Sequence, residues 1–295
     1  MDGILIIDKP AGITSHDVVN RVRRTLGTKR VGHTGTLDPF ATGVMVVLVG
    51  RATRLAQYLD KDEKEYEAEV AFGFETDTGD RTGTRIASAT MPLDELTSDR
   101  IGAVLPSFRG DIEQVPPMFS AKKIEGRKLY ELARRGETIE RKAVAVTISR
   151  LEIASGLQPA DAEPSTLRMR LVVACSAGTY IRTLASDIGR SVGAGAHLAE
   201  LRRTRAGRFT IADAVPLDDV SAAHLRPAGD AVEHLPRYVL KPDRIDPTRN
   251  GMPTRVLDTE LPDGSSVRLV AENGELIAIG RFAAEEKSIQ PRVVL

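Results

Sequence analysis

Val31-Gly32-His33-Thr34-Gly35-Thr36-Leu37-Asp38-Pro39-Phe40-Ala41-Thr42-Gly43 sets three glycines, one histidine and one carboxylate between two apolar elements. Downstream, Val44-Met45-Val46-Val47-Leu48-Val49 reads as a buried strand. Upstream, Thr14 or Ser15 caps a helix running to about Leu26. Val18, Val19, Val22 and Leu26 share one face of it, and Gly27 stops it. Gly3 to Asp8 is a second short buried strand. Three glycines within twelve residues mark a backbone that turns sharply or lies close to a ligand. Taken alone, the loop also fits a tight connection in which Asp38 caps a turn.

Further along, Tyr66, Ala68, Val70, Phe72 and Phe74 alternate with Glu67, Glu69 and Ala71, as in a half-buried strand. A helix is expected from Asp94 to Leu105 and a short basic helix from Arg127 to Arg135, ended by Gly136. Val144 to Ile153 and Leu167 to Cys175 read as strands. Ile181, Leu184, Ile188 and Val192 share one helix face. In the tail, strand-like runs at 266–271 and 276–282 flank Asn273-Gly274, a strong hairpin signal. Composition shifts near Pro236, where a domain boundary is expected.

The chain has 295 residues, 41% of them hydrophobic and 28% charged, an ordinary globular balance. No apolar run approaches membrane-spanning length, and the start carries no basic n-region, so a cytoplasmic protein is expected. One cysteine, Cys175, and five scattered histidines give no metal-ligand spacing. Neither a metal nor a cofactor is expected. Net charge is zero, yet residues 117–150 hold nine basic side chains against four acidic, and 190–208 hold five against one. That asymmetry fits a phosphate-facing surface, although charge runs are commonly solvated faces.

Gly32-His33-Thr34-Gly35-Thr36-Leu37-Asp38-Pro39 resembles the catalytic-aspartate motif of the TruB family of tRNA pseudouridine synthases. Asp8-Lys9-Pro10-Ala11-Gly12-Ile13-Thr14-Ser15 resembles that family's opening motif. Gly178-Thr179-Tyr180-Ile181-Arg182-Thr183-Leu184 and Leu201-Arg202-Arg203-Thr204-Arg205-Ala206-Gly207 resemble its later ones. Four motifs in order across some two hundred residues are far more specific than any one of them.

The resemblance implies an α/β (α+β) fold, with a mixed, largely antiparallel sheet flanked by helices and a small C-terminal β-rich domain. It implies a catalytic domain over 1–235, whose basic segment 117–150 is a thumb closing over RNA, and a PUA-like RNA-binding domain over 236–295. The implied activity is isomerisation of uridine to pseudouridine at position 55, in the T arm of tRNA. Asp38 is then the essential carboxylate. The pattern is compatible with its attack on the sugar, attack on the base, or elimination of the base to a glycal. Arg182 is implied as its ion-pair partner, although its place beside the apolar stripe also fits a snorkelling surface arginine. Tyr66 is implied to stack on the target base and serve a final proton transfer. His33 is implied to stack among the loop bases when the uridine is flipped out. Lys9 supports the site, Leu201 packs near the base, and Arg202, Arg203 and Arg205 are phosphate candidates. Asp77 and Asp80 read as turn and loop support.

A non-catalytic RNA-binding or tRNA-folding protein is the leading alternative, since basic segments and a β module suffice for it. An aspartyl-phosphate enzyme is disfavoured because no P-loop ending follows, and a Rossmann enzyme because no Gly-x-Gly-x-x-Gly follows a strand. A monomer without an obligate protein partner is expected.

Overall fold

The computed structural model describes residues 1–59, 61–120, 123–124, 127–133, 135–137, 139–160, 166–256 and 259–295. Its start follows from the opening pattern. The apolar strands Gly3–Lys9 and Thr42–Val49 pair antiparallel, from Gly3 with Val49 to Lys9 with Gly43. Between them the helix Ser15–Leu26 is capped at both ends. Thr14 and Asp17 form a capping box, and Gly27 turns into the left-handed region at φ 63°. Its buried Val18, Val19 and Val22 pack on Leu5, Ile7, Met45 and Val47.

These strands belong to one large sheet. Its order is Val215–Pro216, Gly3–Lys9, Thr42–Val49, Ala196–Ala206, Lys64–Phe72, Leu167–Cys175, Val144–Pro159 and Gly110–Gln114. The first pair and the pair Thr42–Val49 with Ala196–Ala206 are parallel; the other neighbours are antiparallel. The mixed, largely antiparallel sheet is therefore as expected. The helix Ile181–Ser191 lays Ile181, Leu184, Ala185 and Ile188 on Tyr66, Ala68, Val70 and Leu198, which closes the core beneath the site.

Several elements depart from expectation. Ala196–Ala206, which carries no strand pattern, lies as a strand in the middle of the sheet. The helix expected over 94–105 is shorter: Thr97 accepts from Arg100 N–H and starts it anew, giving Ser98–Val104. Of the basic helix expected at Arg127–Arg135, only Leu129–Ala133 is helical; Arg127–Lys128 pairs with Lys123–Ile124, and Arg134 lies outside the described residues. The last residues of the basic segment, from Val144, are a strand of the main sheet.

Arg237 opens a second sheet, ordered Arg237–Val239, Ser266–Val270, Leu276–Ala283, Ser288–Val294 and Thr254–Arg255. The hairpin across Asn273-Gly274 is present, with Gly274 at φ 88°. This sheet has its own core, including Val267, Leu269, Ile277 and Ile289. It also shares a buried cluster with the main sheet, in which Val270, Leu276 and Ile279 meet Ile4, Val46 and Leu55. The two sheets are therefore joined by an apolar interface.

Candidate active site

The loop carrying Asp38 is held from below by the opening segment. Lys9, fully buried, donates Nζ hydrogen bonds to the carbonyls of Ala41 at 2.7 Å, Pro10 at 3.0 Å and Pro39 at 3.3 Å. Gly12 N–H donates to Pro39 O at 2.8 Å. Ser15 Oγ accepts from Leu37 N–H at 2.8 Å and donates to Leu37 O at 3.0 Å. The residues on both sides of Asp38 are thus fixed, and Lys9 is spent on backbone oxygens. Burial pushes its ammonium down to about 8, with Asp38 opposing that shift.

Arg182 meets Asp38 from the other side. It sits in the first turn of its helix, 4% exposed, and approaches the carboxylate with two nitrogens: Nε to Oδ2 at 2.9 Å and Nη2 to Oδ1 at 3.2 Å. Nη2 also donates to Phe119 O at 2.7 Å and Nη1 to Thr78 O at 2.8 Å. A second carboxylate, Asp80, stands 3.6 Å from Nη1. Its other oxygen accepts from Thr78 Oγ1, Thr82 N–H and Thr82 Oγ1. Gln114 fastens the helix start, its side chain donating to Tyr180 O and accepting from Tyr180 N–H. The surface-arginine alternative for Arg182 does not hold, because one buried guanidinium fork bridges Asp38, Asp80 and two loop carbonyls.

Burial raises the Asp38 carboxyl above the ordinary carboxylate range, Arg182 opposes that, and the charge of Asp80 adds to it. Both oxygens nevertheless accept from a permanently charged donor, which is the pattern of a carboxylate rather than of a carboxylic acid. Asp38 opens into a cavity of about 280 Å³, also lined by Thr34, Gly35, Tyr66, Ser120, Tyr180, Leu201 and Arg203. This lies at the small end of ligand pockets, roughly 300 Å³ and upward, and suits one nucleoside rather than a stacked helix.

The pleat of the Ala196–Ala206 strand decides which arginines belong here. Arg203 pairs in register with Tyr66 and Leu201 with Ala68, so Leu201, Arg203 and Tyr66 share a face. Arg203 is 2% exposed; its Nε donates to Val44 O at 2.6 Å and its Nη2 to Gly35 O at 3.2 Å. It braces the motif loop and the cavity wall, so the phosphate role expected for it gives way to burial. The backbone here is so close to Gly43 (φ 104°) that a Cβ there would lie 2.2 Å from Arg203 O. Burial raises the Tyr66 phenol, with Arg203 partly opposing, so the phenol is neutral at physiological pH. Arg202, one residue away, points to the other face, where it pairs with Asp8 at 2.7 Å and reaches Thr42 Oγ1. Arg205 pairs with Glu63 at 2.6 Å. His33 is outside the cavity lining; its Nδ1 accepts from Gly35 N–H at 3.2 Å.

Comparison with known proteins gives the family. Residues 23–181 match the family model of the TruB family pseudouridylate synthase N-terminal domain, and residues 182–244 that of the tRNA pseudouridylate synthase B C-terminal domain. The chain belongs to the TruB family. It is 41% identical to the tRNA pseudouridine synthase B of Bacillus pumilus (strain SAFR-032), over 95% of this chain and 92% of that one. It is also 41% identical to the protein of the same name from Stutzerimonas stutzeri (strain A1501), over 99% and 95%. A solved structure of an H/ACA RNP bound to a substrate RNA containing 2'-deoxyuridine aligns with a TM-score of 0.70 at 26% identity, covering 99% of this chain and 84% of that chain.

Three of the four motifs thus line one cavity, and the opening motif braces the Asp38 loop from below. The opening motif supplies Lys9 and Ser15, the second Asp38, the third Arg182, and the fourth Leu201 and Arg203. The pairing of the second carboxylate with Arg182 is not visible in the sequence. The threonine contacts of Asp80 are those of the expected loop support, and its other oxygen faces Arg182. The signal for that support was Thr76-Asp77-Thr78-Gly79-Asp80, whose short polar side chains fold back on one another.

Proposed function

We propose that this protein isomerises uridine to pseudouridine in the T loop of tRNA, at the position conventionally numbered 55. The observation that carries the reading is the Asp38–Arg182 clamp opening into a nucleoside-sized cavity beside Tyr66 and Leu201. The reaction is a balanced rearrangement. The N1–C1′ bond breaks, the uracil turns, C5–C1′ forms, and a proton leaves C5 while N1 gains one. No oxidant, metal or energy source enters it. Asp38 is the carboxylate that meets the nucleoside at the bond being broken, and Arg182 keeps it ionised and aimed. Tyr66 stacks on the base and its neutral phenol serves the closing proton transfer.

The target base leaves the RNA stack to enter the cavity, and His33, at the loop's edge, stacks among the bases left behind. Arg202 and Arg205 take phosphate contacts by exchanging their carboxylate partners. The basic segment that follows Pro117 acts as a thumb over the RNA, and residues 236–295 act as a PUA-like RNA-binding module; its separate five-stranded sheet supports this. The protein works as a monomer in the cytoplasm without a cofactor or an obligate protein partner. Among the described residues no helix is long and apolar enough to cross a membrane.

Mapping pseudouridine by mass spectrometry in an unmodified tRNA transcript tests the site. Conversion at position 55, lost when that uridine is replaced by cytidine, is expected. Conversion elsewhere would overturn the assigned position. No conversion with tight tRNA binding would favour the RNA-folding alternative.

A further inference from the structure

Ser120 stands in the wall of the Asp38 cavity and is 4% exposed. Its Oγ is shut off from water and forms no hydrogen bond among the described residues. The backbone that carries it is fixed, because Phe119 O accepts from the guanidinium that also grips Asp38. Among the described residues the other buried unpartnered side-chain atoms are Nε of Arg23, Arg141 and Arg168, guanidinium groups bonded through their other nitrogens, and none lines this cavity. The serine hydroxyl has no second atom to satisfy it. A buried hydroxyl without a partner is uncommon, because its lost hydration is not repaid. Oγ holds no hydrogen bond among the described residues, so rotation about χ1 breaks none.

Resting on the reading of this cavity as a uridine site, we propose that Ser120 Oγ–H donates a hydrogen bond to a carbonyl of the target uracil and keeps one as the base turns. Exchanging N1 for C5 at C1′ is a half-turn of the ring about the line through N3 and C6. That turn interchanges the C2 and C4 carbonyls and leaves N3–H in place. A donor aimed at one carbonyl therefore meets the other afterwards. A neutral hydroxyl is well suited to this, because it rotates freely and leaves no unpaired charge while the base is between positions. In cytosine an amino group replaces the C4 carbonyl, so one of the two positions loses its acceptor. Ser120 is thus a substrate-holding residue that also favours uracil over cytosine.

The test is single-turnover conversion of full tRNA transcripts by wild type, Ser120→Ala and Ser120→Thr. It is repeated with 2-thiouridine or 4-thiouridine at the target, since sulfur is the poorer acceptor. Ser120→Ala is expected to slow conversion about tenfold with tRNA affinity and melting temperature unchanged, and Ser120→Thr to restore most of the rate. At least one thio substitution should slow wild type by a larger factor than it slows Ser120→Ala. Equal thio factors in the two proteins, an unchanged rate in Ser120→Ala, or a melting loss that threonine fails to rescue would overturn the proposal, while wild-type conversion would leave the uridine reading standing. Absence of conversion by wild type would remove that reading and this proposal together.

Discussion

Arg202 and Arg203 are consecutive residues of one strand, and they serve two different regions. On the cavity face, Arg203 is buried, bonded to the carbonyls of Val44 and Gly35, and in register with Tyr66. On the outer face, the Arg202 side chain is 38% exposed and held by Asp8. The difference teaches what each charge can do. A buried guanidinium bonded to backbone cannot leave without stranding polar groups, so it sets geometry. A half-exposed ion pair is worth roughly 0–1 kcal/mol, so exchanging its carboxylate for a phosphate costs little. The proposed function therefore assigns catalytic geometry to the first face and RNA affinity to the second.

The largest break in this comparison is at the cavity itself. Asp38→Asn should lower the single-turnover rate by roughly 10⁴-fold and leave the tRNA dissociation constant within a few-fold, measured by filter binding. Arg182→Met leaves Asp38 and Asp80 without their shared cation, so the fold should lose about 3 kcal/mol in urea denaturation along with its activity. Arg203→Met should cost about 2 kcal/mol and slow conversion through the loosened loop. Arg202→Ala, on the outer face, should leave the rate at saturating tRNA unchanged, weaken binding, and reduce the salt slope by about 1 or less. If the two arginine variants behaved alike, the division between faces would be lost.

Lys9 adds a smaller effect with a defined sign. Burial pushes its folded-state value down to about 8 from 10.5. Between those values the unfolded chain binds more protons, so stability rises with pH across that window. The contribution is fully present above 10.5 and is lost as pH falls through 8. The stability difference between wild type and Lys9→Met should therefore shift toward wild type between pH 8 and 10. A pH-independent difference would mean that Lys9 is not a desolvated ammonium.

Much of the scaffold was legible because it obeys simple periodicities. Val18, Val19 and Val22 with a capping threonine and a terminal glycine gave the first helix, and Asn273-Gly274 gave the tail hairpin. Asp38 and Arg182 were legible because their motifs are compact and ordered. The Ala196–Ala206 strand was not, because the alternation that marks strands fails where a wall must be polar. Leu201 and Arg203 face inward together, so Leu-Arg-Arg-Thr-Arg reads as a basic run rather than as a strand. Asp80 was missed as a partner of Arg182 for a related reason. It lies 102 residues away in the chain, and only the fold brings its carboxylate to the guanidinium. The helix Pro242–Arg249 carries little apolar periodicity and contains Pro247, so no pattern announced it.

Tritium release from a tRNA transcript labelled at uridine C5, with wild type and Asp38→Asn side by side, tests the central claim most directly. Release by wild type alone is the predicted result, because C5 must lose its proton when it joins C1′ and only the clamped carboxylate opens that path. Equal release by both proteins would contradict the assignment of Asp38, and release by neither would contradict the assignment of this cavity as a pseudouridine-forming site.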